Sequence, residues 1–174
     1  KGAELIRMLH TIIGEDCFRK GLALYLTRHD GQAVTTDDFV QAMVDVLPEE
    51  TDPGSAFGTL DQFRLWYSQA GTPTLSVESQ YDSGQQVLTL TVRQKAAASA
   101  GPEPKMLHIP LAVGLLGQDG REMPVEFAGG HDDPPVASKV LHIRQDKEIF
   151  RFSNVPESPT VSLLRSFSAP VHLE

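Results

Sequence analysis

A chain of 174 residues with 40% apolar side chains is long enough for one ordinary domain or two small ones with a genuine core. Its net charge of −8 is shared by both halves, so neither carries the basic footprint of a nucleic-acid binder, and nucleic acid is not expected as a partner. The single cysteine, Cys17, rules out an intrachain disulfide framework and any multi-cysteine zinc site, and it fits a reducing compartment. No apolar run approaches the roughly 20 residues that span a bilayer, and no charged-then-apolar leader precedes the first helical pattern. These features lead us to expect a soluble, cytoplasmic protein with no membrane partner. The chain begins at Lys1 without a methionine and is helical in character almost at once, which suggests a piece of something longer.

Leu5, Met8, Leu9 and Ile12 recur at helical spacing, with Gly14 placed to stop the helix. A second helix is expected from about Glu15 to Arg28, with acidic residues in its first turn and Phe18, Leu22, Tyr25 and Leu26 on one face. The turn signal His29-Asp30-Gly31-Gln32 breaks it. Thr35 and Asp38 stand at capping-box spacing before a third stripe of Phe39, Ala42, Met43, Val46 and Leu47, which Pro48 terminates. After a polar loop, Leu60, Phe63, Trp66, Tyr67 and Ala70 define a fourth helix that Gly71 can close.

Beyond Pro73 the apolar period falls from near 3.6 to 2, most clearly where Leu88, Leu90 and Val92 alternate with Thr89, Thr91 and Arg93. Further strands are expected at 74–79, 109–116, 123–127, 140–144, 148–152, 160–167 and 171–173. Turn signals at Asp82-Ser83-Gly84, Gln118-Asp119-Gly120 and Gln145-Asp146-Lys147 separate several of them. Short strands at this spacing suggest an antiparallel β-sandwich. The fold class is therefore α+β, a helical segment followed by a sandwich, and residues 96–104 and 128–136 read as long loops. Trp66 and Tyr67 lie at the junction, where large aromatics serve most simply as a plug between helix and sheet; a ligand platform is the alternative.

The residues offer little chemistry. No two of the six histidines, His10, His29, His108, His131, His142 and His172, stand at the i, i+4 spacing that would present both imidazoles to zinc on one helical face. His131-Asp132-Asp133 could hold a cation, but a Gly- and Pro-flanked acidic loop reads more simply as solvated. His10 lies beside an apolar stripe, as a hydrogen-bonded structural histidine would. Cys17 sits between Asp16 and Phe18 rather than beside a cation that would lower its pKa. There is neither a G-x-S-x-G elbow nor a Gly-rich phosphate loop. No residue is assigned a catalytic, cofactor-binding or metal-binding role.

The stretches KGAELIRMLHTIIGEDCFRKGLALYLTRHDGQAVTTDDFVQAM, FRLWYSQAGTPTLSV and RSFSAPVHLE closely resemble, in that order, the proteobacterial aminopeptidase N family of zinc-dependent gluzincins. The resemblance covers essentially the whole chain. It implies that residues 1–72 are the last helices of a thermolysin-like catalytic domain and 73–174 a middle β-sandwich domain. It also implies a parent enzyme that removes N-terminal residues from peptides with zinc, partnered by the remaining domains of the same protein. The family's G-x-M-E-N loop, its H-E-x-x-H motif with the downstream glutamate and its oxyanion-steadying tyrosine have no counterpart in this sequence. None of those roles can be carried onto a residue here, so this piece alone is expected to be inactive and to hold no zinc. A non-enzymatic sandwich module with a helical collar, binding peptide or sugar through its loops, is the alternative. If the helices evolved to pack on missing neighbours, Leu5, Leu9, Met43 or residues near them would be exposed and the chain would self-associate.

Overall fold

The apolar stripe Leu5, Met8, Leu9 and Ile12 is buried along helix α1, Gly2–His29, in a computed structural model that describes residues 2–48, 60–128 and 136–174. Gly14 interrupts α1 with φ 78° and ψ 164°, so the expected break is present inside one continuous element. Only glycine takes such a conformation at little cost. Helix α2 spans Thr36–Val44 and opens on the expected capping box. There the Thr35 amide donates to Asp38 Oδ2 at 2.8 Å and the Asp38 amide to Thr35 Oγ1 at 3.3 Å. The Thr35 backbone donor, aided by the Thr35 hydroxyl, holds the Asp38 carboxyl below the usual carboxylate value. The helix ends at Val44 rather than Leu47, with Asp45 as its C-cap.

Two apolar assignments change. Leu22 and Leu26, expected on the buried face of the second helical segment, are 37% and 57% exposed. The buried position is Gly21, where α2 crosses so closely that a Cβ would stand 3.1 Å from Met43 Cα. Tyr25 then meets Phe39 of α2 edge-on at 5.3 Å. The close approach at a residue without a side chain turns the leucines outward. Conversely Leu5, Leu9 and Met43, expected to be laid bare, are buried in the core.

Helix α3, Asp61–Ser68, leads through Gly71 into β1, Thr74–Asp82. The other strands are β2 Val87–Lys95, β3 Ile109–Leu116, β4 Glu122–Met123, β5 Lys139–Ile143, β6 Lys147–Phe152, β7 Thr160–Ser162 and β8 His172–Leu173. One sheet runs β6-β2-β1-β8; the other runs β4-β3-β5, with β7 also on β3. The pairing is antiparallel except between β1 and β8, where Thr74 and Leu75 run parallel to His172 and Leu173. Apart from that short pair the sandwich is antiparallel, as expected. In β2, Leu88, Leu90, Val92 and Gln94 point inward, whereas β3 is buried from Ile109 to Leu115 on both of its faces. A strand covered on both faces reads as a continuous apolar run, and α1 packs on the β3–β5 side. Helices and sandwich therefore share one contiguous core.

Two expected strands are shorter. Pro124, which has no N–H to donate, ends β4 at Met123, and Val125 and Phe127 make only isolated bridges to Val136 and Phe152. The expected strand 160–167 stops at Ser162, and Leu164, Ser166 and Phe167 take left-handed φ of 53°, 55° and 52°. Arg165 anchors this bend: its Nη1 donates to Glu122 Oε1 at 2.8 Å and to the Ala137 carbonyl at 3.0 Å. Its guanidinium occupies the space a side chain at Gly114 would need. On the far side Ser168 Oγ accepts from the Ala112 amide at 3.0 Å. Anchored on both sides, the bend leaves Phe167 77% exposed.

Substituting Gly21→Val should lower the unfolding free energy by about 1–3 kcal/mol, because the new methyls meet backbone as well as the Met43 side chain. Urea unfolding checks this, and a change below about 0.5 kcal/mol would show that α2 is free to move away.

Candidate functional site: the helix–sandwich joint

Residues three and four apart lie on one face of a helix, and α3 uses that spacing to present Gln62, Trp66 and Gln69, the last at its C-cap, toward the sandwich. All three reach the extended stretch that leads into β3. Gln62 Nε2 donates to the Met106 carbonyl at 2.9 Å and to the Arg144 carbonyl at 2.6 Å. Trp66 Nε1 donates to the His108 carbonyl at 2.9 Å. Gln69 Nε2 donates to the Lys105 carbonyl at 3.1 Å while its Oε1 accepts from the Lys105 amide at 2.9 Å. From β2, buried Gln94 makes the same two-way pair with Leu107, 2.9 Å to its carbonyl and 2.6 Å from its amide. Every carbonyl from Lys105 to His108 thus accepts from a side chain rather than from a neighbouring strand.

Trp66, 1% exposed, is the plug expected at the junction. Tyr67 is half-buried against Phe63, and burial raises its hydroxyl pKa above the usual value. The expected α3 ran to Ala70, but Gln69 leaves helical geometry at ψ 126° while its side chain holds Lys105. Gly71, with φ 92°, serves the turn against Ala97 and Ser99 rather than capping the helix.

Beside this clamp lies a histidine pair that no spacing in the sequence announces. His108 and His142 are 34 residues apart, and the β3–β5 register that sets Pro110 opposite His142 brings them together. His108 Nε2 and His142 Nδ1 stand 2.9 Å apart in a hydrogen bond, and His108 is 1% exposed. Burial first, then the neighbouring His142 and Arg144, push the His108 pKa down to about 3. Burial and then Arg144 push that of His142 down to about 4. Both rings are neutral at pH 7 and too weakly basic to serve as a general base there. The available signal was the alternation of Leu141, His142 and Ile143 opposite an apolar run that His108 immediately precedes.

The remaining candidates are dispersed. His10 Nε2 lies 2.6 Å from Glu15 Oε2 with its ring edge-on to Phe18, which is the structural role expected of it. Cys17 is half-buried against the core. His131, Asp132 and Asp133 fall outside the described residues. A hollow of about 640 Å³ at the β1–β2 hairpin is lined by Gln80, Tyr81, Asp82, Ser83, Val87 and Thr89. Among the described residues no group of three or more His, Cys, Asp or Glu side chains could hold a metal ion. The facing nitrogens of the histidine pair are engaged with each other beside the Arg144 cation, so they do not fit zinc, and no step through a metal is derived for this chain.

Residues 71–174 match the family model described as "Domain of unknown function (DUF3458) Ig-like fold". The chain belongs to that Ig-like domain family. Its residues 1–57 match the Peptidase family M1 domain. Over 100% of its length the chain is 45% identical to aminopeptidase N of Escherichia coli K12 and 40% identical to aminopeptidase N of Haemophilus influenzae Rd. It spans 18% of the length of each. Among solved structures it is similar to Legionella pneumophila aminopeptidase A, crystallised in complex with aspartic acid. The TM-score is 0.77 at 28% identity, covering 99% of this chain and 17% of that one. The resemblance read from the sequence and the α+β architecture both stand. No helix among the described residues is long and apolar enough to cross a membrane.

Gln94→Leu should cost about 2–5 kcal/mol, since it strips partners from both the amide and the carbonyl of buried Leu107. Gln69→Ala, at an exposed position where water can replace the amide, should cost less than about 1 kcal/mol. Urea unfolding of the two variants tests the ranking, and equal costs would show that burial does not set the strength of the clamp.

Proposed function

We propose that this chain is scaffold within a zinc-dependent metallo-aminopeptidase that removes N-terminal residues from peptides in the cytoplasm. Residues 1–72 close the catalytic domain and residues 73–174 form the middle sandwich. The observation that carries this reading is the similarity to aminopeptidase N along the entire chain while it spans 18% of those relatives. The peptidase match on the helical side and the Ig-like match on the sandwich side add support. In this reading zinc, the activated water and the recognition of the substrate amine belong to other parts of the protein. What this chain supplies is the joint that fixes the helical end to the sandwich.

The purified chain, supplied with zinc, should leave an aminoacyl arylamide intact. The longer protein encoded by the same gene should cleave it, lose activity to a chelator and regain it with zinc. Cleavage by the chain in proportion to bound zinc would sink the scaffold assignment, and an inactive longer protein that binds zinc would sink the enzyme assignment.

The outward Leu22 and Leu26 are the face that the rest of the protein covers in this proposal. The isolated chain pairs through the same face. Replacing both with Glu should change the stability of the chain by less than about 0.5 kcal/mol per site, because both positions are solvated. The substitution should convert the chain to a monomer by light scattering; a monomeric parent chain, or a variant that still associates, would count against this.

A further inference from the structure

His108 joins two systems at the joint. Its carbonyl holds Trp66 of α3, and its ring is hydrogen-bonded to His142 of β5. Its Nδ1 is buried and has no hydrogen-bond partner. In the neutral arrangement with Nε2–H donating to His142 Nδ1, that orphan nitrogen is a bare acceptor, the cheaper of the two ways to leave a group unpaired. A proton added to His108 turns it into a buried N–H with nothing to receive it. Protonating His142 at Nδ1 instead sets two N–H groups against each other unless His108 yields its own hydrogen.

We infer that the His108–His142 pair is a proton-operated latch, in which protonation of these rings releases α3 from the sandwich before the sandwich itself unfolds.

The charges around the pair bias it in one direction. Arg144, at the end of β5, places a cation where it disfavours protonation of either ring. Glu148 of β6 takes the Arg144 backbone amide at 2.8 Å. The α3 groups at the joint, Gln62 and Trp66, do not ionise. Helix α1 meets β3 and β5 with its apolar stripe. In the latch, opening the joint admits water to both rings, and there they return toward the ordinary histidine value of 6.5. Since both native values lie below 6.5, the closed joint is fully stable above about pH 6.5 and weakens as the pH falls from there toward 4. Opening takes up as many as two protons, so its equilibrium constant rises by up to about 100-fold per pH unit between about pH 6 and 4.5. Most carboxylates titrate below that window.

Trp66 is the chain's one tryptophan and sits in the joint, so its emission reports opening directly. With mild urea present, emission and the far-ultraviolet sheet signal are followed from pH 7.5 to 4.5 in the wild type and in His142→Gln, whose amide can still accept from His108. In the wild type the emission change should precede loss of the sheet signal, with a proton dependence approaching two. In His142→Gln the dependence should fall to about one. Imidazole NMR of the wild type, which needs no variant, should show both rings resisting protonation down to about pH 4.5. Coincident loss of emission and sheet signal, an unchanged proton dependence in His142→Gln, or rings that titrate near 6.5 in the folded chain would each overturn the latch.

Discussion

Four consecutive residues, Lys105 to His108, enter the sandwich without a strand beside them, because the β3–β5 ladder begins at Ile109 opposite Ile143. Beyond Ile143 the chain turns toward β6, and among the described residues no strand pairs with the incoming stretch. Leu107 and His108 are nevertheless buried, so their polar groups must be met from elsewhere. Gln62, Trp66, Gln69 and Gln94 supply what a strand would have supplied. A net hydrogen bond is worth only about 0.5–1.5 kcal/mol, but a buried group deprived of its partner costs about 1–3 kcal/mol. The clamp therefore acts less by adding stability than by making any other placement of α3 expensive. With α3 fixed, the helical part and the sandwich share a single apolar interior.

Much of this architecture was legible because it rests on local rules. The Thr35–Asp38 cap, the change of period after Pro73 and the limits of β3 follow from residues adjacent in sequence. What was not legible depends on residues far apart. Glycine at position 21 looks like a weak helix former, and only the crossing of α2 makes it the contact point that turns Leu22 and Leu26 to solvent. The bend at Leu164–Phe167 lies in an apolar run that reads as strand. It departs from that geometry because Arg165 and Ser168 are held by β3, β4 and their surroundings. The histidine pair is hard to read for the same reason: the alternation around His142 acquires its meaning only once β3 and β5 are registered.

The joint is also distinguished by what it is made of. Arg28 with Asp45, Arg64 with Asp37, and Arg165 with Glu122 are ion pairs of other contacts, and each keeps at least one partner well exposed. Such pairs contribute little and weaken with salt. Amides, an indole and neutral imidazoles carry no net charge to screen, so the hydrogen bonds they make across the joint depend little on ionic strength. The same neutrality is what makes a proton the ion to which the proposed latch responds. Adding it places a buried cation next to Arg144 in a network that was neutral, and the low dielectric that strengthens the hydrogen bonds is what makes that cation costly.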